Sequence, residues 1–195
     1  IGSCQPLILL FIAGRIFGER PRRYDWVLAV VAMGGVAIVM FGSTGVQGWS
    51  LSGDLLSIAT VVAWTLYFVF SKLSTRKIEA SQYTGATALI CALFATPFAL
   101  ASGQLFNMPS GNAWIWLFIL SIGPGFTSHM LMNWALAHIP VWFGSTLTLA
   151  IPVTATVMAW VFLGEDVVAL QFLGMGIVLF ALGFIVIGQS NTARR

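Results

Sequence analysis

Pro6-Leu-Ile-Leu-Leu-Phe-Ile-Ala-Gly-Arg-Ile-Phe-Gly-Glu19 returns 146 residues later as Pro152-Val-Thr-Ala-Thr-Val-Met-Ala-Trp-Val-Phe-Leu-Gly-Glu165. Both stretches run from a proline through an apolar, helix-length run to Gly-Glu, with identical spacing. The echo continues past each glutamate, where Trp26 answers Phe172. Self-similarity at a fixed offset means that the chain is built from related units.

The medium around those units follows from composition. Of 195 residues, 58% are hydrophobic and only 8% charged, where a water-soluble domain carries about 25% charged residues. Too few charges exist to cover a surface, so lipid is the solvent for most of the chain. The net charge of +3 does not point to nucleic acid, because the basic residues are few and form no stripe interleaved with aromatics. Cys4 and Cys91 fall in apolar runs with no metal-ligand spacing around them and read as small interior residues. No basic leader or cleavage site frames the first apolar run, so it is expected to be neither a signal peptide nor a lipidation signal. That run is short and begins at Ile1, so Ile1 is expected to be an internal point of a longer protein.

Seven apolar segments can be marked, at about residues 4–17, 25–42, 52–71, 82–101, 113–135, 140–163 and 167–188. All but the first approach the roughly 20 residues a helix needs to cross hydrocarbon. Polar loops separate them, clearest at Gly42–Gly48 and Asn107–Asn112. The fold class expected is all-α: a polytopic membrane protein with about seven of ten transmembrane helices.

The basic residues set orientation. Arg20, Arg22 and Arg23 lie between segments one and two, Lys72, Arg76 and Lys77 between three and four, and Arg194 and Arg195 after seven. Arg15 is within snorkelling reach of the same side. These nine are every lysine and arginine in the chain, and seven crossings put them all on one face. The opposite loops hold Asp54, Glu165 and Asp166 instead. The positive-inside rule assigns the basic face, and with it the C-terminus, to the cytoplasm of a cell inner membrane. Ser50 or Ser52 is placed to cap the third helix with Asp54 in its first turn, and Glu165 and Asp166 to open the seventh.

Five crossings separate the two copies of the repeat, so they traverse the membrane in opposite senses. Two related five-helix units of inverted topology are the natural reading. Residues 1–45 would be the last two helices of the first unit, and 51–190 the complete second unit. The offset starts the first unit roughly 90 residues before Ile1 and gives the intact protein ten helices in about 300 residues.

The residues then resemble a known family. Pro6 through Gly18-Glu19-Arg20, Trp26 and Gly34-Gly35 match the EamA-type transporters of the drug/metabolite transporter (DMT) superfamily. Gly53-Asp54-Leu55-Leu56 with Ala63-Trp64-Thr65-Leu66-Tyr67 resembles the opening of that family's second repeat. Asn133-Trp134-Ala135-Leu136, Pro152 and Leu163-Gly164-Glu165 resemble its close. The resemblance covers essentially the whole chain. It implies an inner-membrane permease that moves small metabolites or drugs, amino acids among them, by alternating access. It names no substrate. A chain lacking the first three and a half helices would not transport alone.

Each candidate residue has a functional and a plain reading. Pro6 and Pro152 free a backbone carbonyl and bend their helices, as hinges or as tolerated kinks. Glu19 and Glu165, beside Gly18 and Gly164, suit a tight interfacial turn; Glu19 is also within reach of Arg15 or Arg22. His129 lies inside a span, with Asn133 one turn on along the same face. Together they line a polar cavity or bond neighbouring helices. Gly123-Pro124-Gly125 should loosen that helix; His138 reads as a loop residue. Trp64 and Tyr67 are mid-span aromatics that would shape a substrate pocket or pack in the core. Thr148 and Thr154 flank Pro152 and would satisfy its freed carbonyl or face the cavity. Trp49, Trp114, Trp116 and Trp26 read as belt residues. The small pairs Gly14/Gly18 and Ala155/Ala159 invite a symmetric close contact between the repeated helices.

Enzyme chemistry finds no support: there is no Ser-His-acid set with a role, no His-Glu-x-x-His and no phosphate loop. No cofactor or metal is called for. The near-absence of carboxylates within spans argues against an Asp or Glu proton relay in this portion. The partners expected are a small-molecule substrate, the lipid bilayer and the missing N-terminal helices of the same protein, with room for a homodimer. Two rivals remain, a non-transporting membrane scaffold and a carrier of nucleotide-sugar or phosphorylated metabolites. The orientation is testable by cysteine labelling in a background lacking Cys4 and Cys91. Cysteines at Arg76 and Asp166 should react with an impermeant reagent from opposite sides of the membrane; reaction from one side refutes the topology.

Overall fold

Backbone N–H and C=O groups in hydrocarbon have no water to bond, so each span must satisfy its own. The structure, a computed structural model, describes residues 2–42, 50–103 and 108–193, with side chains through residue 191. Trp49, Asn107, Arg194, Arg195 and the 43–48 part of the first loop lie outside the described residues. Among the described residues every regular element is helical. α1 (Gln5–Phe17) is short. α2 (Arg23–Gly42), α3 (Leu51–Ser74), α4 (Ala80–Ala101), α5 (Ala113–His138), α6 (Val141–Leu163) and α7 (Ala169–Ala193) are each long and apolar enough to cross a membrane. This is an all-α polytopic membrane protein.

The ends of these helices follow local chemistry. Ser50 Oγ accepts the Gly53 amide at 3.3 Å and so caps α3. Glu79 and Gln82 form a reciprocal capping box at the start of α4. α5 widens into π-helical turns over Ser121–Thr127, around Pro124. α6 is regular over Val141–Leu147, tightens to a 3-10 turn over Thr148–Ala150, resumes at Ile151–Met158 and widens over Ala159–Leu163.

By packing, the chain divides into two compact units, Ile1–Tyr67 with Pro140–Arg195, and Phe68–Ile139. The expected division at 1–45 and 51–190 follows the repeat rather than packing. The first unit is built on α2 against α7. Gly42 meets Gln171, Val39 meets Gly174, Gly35 meets Val178, and Tyr24 meets Gly188. Positions descend along α2 as they ascend along α7, so the two helices are antiparallel. Ala29, Ala32, Val36 and Val39 are buried on α2, as are Val178, Ala181 and Ile185 on α7. The closest approach is glycine on glycine. A Cβ on Gly174 would lie 2.7 Å from the Gly35 carbonyl oxygen, and one on Gly35 would lie 2.9 Å from that of Gly174.

Several expectations are corrected here. The small-residue contact is Gly35 with Gly174, whereas a Cβ on Gly14 meets only the Glu19 carbonyl and one on Gly18 meets nothing. Glu165 and Asp166 precede α7 and do not open it; its first turn holds no acidic residue. Cys4 and Cys91 are exposed, not interior. Lipid is as apolar as a core, so an apolar neighbourhood in sequence does not separate the two. Lys72 belongs to the last turn of α3 and His138 ends α5.

Gly174→Ala should destabilise the protein by about 1–3 kcal/mol through overpacking. Gly176→Ala, where a Cβ meets nothing within 4 Å, should not. Thermal unfolding in detergent separates the two; equal effects would refute the close-packing account.

Candidate functional site

In the first unit the mid-span aromatics form a plate. Trp64 and Tyr67, three positions apart on α3, stack with ring centroids 5.1 Å apart and planes 6° from parallel. Trp64 remains 38% exposed. Its backbone carbonyl accepts a hydrogen bond at 3.3 Å from Nε2 of Gln5, a buried residue that starts α1. The plate is thereby tied to the helix of the first repeat copy. Thr148 lies in the 3-10 turn of α6 and donates its hydroxyl to the Ser145 carbonyl at 2.6 Å. The carbonyl that Pro152 frees, that of Thr148, is taken by the Ile151 amide. Thr154 bonds back to Ala150 and Ile151. Neither threonine hydroxyl serves the proline.

In the second unit Asn133 is fully buried. Its Oδ1 accepts from Ser71 Oγ at 2.6 Å and its Nδ2 donates to Thr84 Oγ1 at 2.8 Å. One side chain thus links α3, α4 and α5. His129, one turn earlier, is half-buried and donates from Nδ1 to the Gly125 carbonyl at 2.7 Å. A carbonyl only accepts, which puts the proton on Nδ1. Gly125 lies within the widened turns around Pro124. A groove of about 500 Å³ in this unit is lined by Thr75, Glu79, Ser81, Trp134 and His138, and not by His129 or Asn133. Lys72 was expected only as one of the loop charges that set orientation. It is buried, and its Nζ donates to the Leu136 carbonyl at 3.2 Å and to that of Ile139, closing the C-terminal end of α5. Its place just past the end of an apolar run is the feature that could have suggested a helix-end role.

The repeated phrase has a repeated shape. A 3-10 turn at Gly2–Cys4 precedes Pro6 in the first turn of α1, and one at Thr148–Ala150 precedes Pro152 in the same position. Each stretch ends on a left-handed glycine, Gly18 at φ 67° and Gly164 at φ 68°. The Gly18 and Glu19 amides both return to the Ala13 carbonyl, as those of Gly164 and Glu165 return to Ala159. Asp25 Oδ2 accepts the Arg22 amide at 2.7 Å, and Gln171 Oε1 accepts that of Val168 at 3.0 Å. Every one of these pairs is separated by the same 146 residues.

The two copies differ at the glutamates. The Val141 amide, the first of α6, donates to both Oε1 and Oε2 of Glu19 at 2.9 Å. The carboxylate caps that helix, where the dipole favours an anion. Glu165 is exposed. A further carboxylate was missed: Asp25 is 1% exposed, and its Oδ1 has no hydrogen-bond partner among the described residues. It is the one buried carboxylate among the described residues, in the first turn of α2. It stands at a helix start, where exposure is the usual outcome.

Comparison with known proteins places this geometry. Residues 51–187 match the model of the EamA-like transporter family. YetK of Bacillus subtilis (strain 168), described as an uncharacterized transporter, is 25% identical across 91% of this chain and 55% of its own length. YwfM of the same organism, also described as an uncharacterized transporter, is 26% identical across 97% of this chain and 62% of its own. YedA of Escherichia coli (strain K12), described as an uncharacterized inner membrane transporter, is 21% identical across 94% and 59%. The chain thus spans little more than half the length of these relatives. A protein crystal structure 21% identical in sequence superposes with a TM-score of 0.75, covering 95% of this chain and 64% of that one; it shares the fold.

Asp25→Ala should cost about 1 kcal/mol, the usual loss of a side-chain cap. Asp25→Asn should retain most of that stability, since the neutral amide of Gln171 makes the matched bond. Melting temperatures of the two variants check this, and an Asn variant as unstable as the Ala variant would refute the capping role.

Proposed function

The chain belongs to the EamA-like transporter family, and from that premise we propose that it is part of a permease for a small metabolite or drug, with amino acids among the candidates. The permease works by alternating access in the cell inner membrane, with the C-terminus in the cytoplasm. Two five-helix units of inverted topology make it up, and this chain supplies 1–45 from the first and 51–190 from the second.

The observation that carries the reading is the matched build of 2–25 and 148–171. It comes with α2 and α7, the helices that follow each copy, running antiparallel. Matched helices in opposite directions are what an inverted repeat requires. Substrate contact is assigned to the Trp64–Tyr67 plate, with Thr148 on α6. An exposed, stacked indole suits an amphipathic ligand. His129 is a polar contact, on a helix already loosened by Pro124. Asn133 holds three helices and positions His129 one turn away. Pro6 and Pro152 with Gly18 and Gly164 mark the ends of the two repeated helices, where bending is least costly. Lys72 is the buried cation of the second unit. Its ammonium on the Leu136 and Ile139 carbonyls gives no support to a carrier for phosphorylated substrates.

Resistance and uptake screens of the full-length gene product test this. Trp64→Ala and His129→Ala should each reduce transport about tenfold, the equivalent of roughly 1.4 kcal/mol of binding. Wild-type transport by both folded variants would refute the site. A full-length protein with no transport phenotype for any metabolite or drug class would refute the permease.

A further inference from the structure

The first repeat copy carries a groove that the structure fills. Leu9, Leu10 and Ala13 on α1 are buried, as is Asp25 beyond the turn. The opening turns of α6, Val141–Leu147, pack against α1, and their first amide sits on Glu19. Shifted by 146 residues, these groove positions become Ala155, Thr156, Ala159, Glu165 and Gln171. There the same groove is open. It is a cavity of about 220 Å³ lined by those five residues with Asp166 and Val167. The turn that carries Glu165 has the backbone of the turn that carries Glu19, down to the shared alanine carbonyl. The Glu165 carboxylate makes no hydrogen bond among the described residues.

We propose that Glu165 is the reciprocal cap: its carboxylate receives the first backbone amide of the helical stretch that leads into α1 from upstream, seated in the groove formed by Ala155, Thr156, Ala159 and Gln171. The inference rests on the two-unit reading above. The occupant follows from the filled copy. Val141–Leu147 runs into the Thr148–Ala150 turn and on to Pro152. Its counterpart runs into the Gly2–Cys4 turn and on to Pro6, so its capped amide falls six residues before Ile1. Charge agrees: Glu165 and Asp166 face the seat, and a helix N-terminus presents a positive partial charge. Ala155 and Ala159, four apart, leave room for a close backbone. Each repeated helix would thus end on a glutamate that caps the start of the other, one pair at each end of the helix pair. The shared backbone of the two turns allows both bonds to be made with one geometry.

The test uses the full-length gene product in membranes, with native cysteines replaced. Glu19→Cys with Val141→Cys is the positive control, and a short bifunctional thiol reagent should link it. Glu165→Cys with a cysteine six residues before Ile1 should link to the same extent. Linkage of the control alone would overturn the reciprocal cap and leave the permease reading standing. A transport failure would bear on the permease instead. As a second readout, Glu165→Lys should lower the melting temperature by roughly 2–4 °C, and Asp166→Lys by less. Equal shifts would also overturn the proposal.

Discussion

The described helix ends with side-chain partners answer to one constraint. The first amides and last carbonyls of a helix have no partner within it, and close to hydrocarbon water does not readily supply one. Glu19 meets the constraint for α6 by closing both carboxylate oxygens on the Val141 amide. Lys72 meets it for α5 by placing its ammonium on two terminal carbonyls. Asp25 and Gln171 meet it for α2 and α7, each reaching back three residues to an amide. Glu79 does the same at the start of α4 through its capping box.

Satisfied ends leave packing to decide how helices approach. With lipid as apolar as leucine, burying more hydrocarbon gains little, and close backbone contact decides instead. Gly35 and Gly174 provide it between α2 and α7. In the second unit Asn133 achieves the same result by chemistry, with Ser71 and Thr84 completing a fully buried hydrogen-bonded set. Both arrangements leave most of α4 and the first half of α5 exposed, as helices surrounded by lipid or by other helices should be.

The segments themselves were legible because a span needs a fixed length of apolar residues. The observed helices begin and end within a few residues of the expected ones. A serine cap on α3 was legible for the same reason, as Ser50 or Ser52 just before an apolar run, and the structure uses Ser50. The repeat was legible too, and the structure gives its two copies one local geometry. The environment of each side chain was much less legible. Asn133 stood as either a cavity group or a helix bond, and the structure gives it two helix bonds. Lys72 passed as an interfacial charge and is buried, and Asp25, which no motif singled out, is buried as well. Cys4 and Cys91 passed as interior and are exposed.

By itself the amino-acid order determined the solvent, the limits of the six helices long enough to span it, and the doubling of one helix-turn phrase, because each rests on local composition or spacing. Only the tertiary structure decided which glycines touch, which carboxylate is capped and which stays open, and where the polar side chains find partners. The physical reason is that in lipid the inside and the outside of a helix are equally apolar. A residue's neighbours across the bundle, not its neighbours along the chain, then fix what it does.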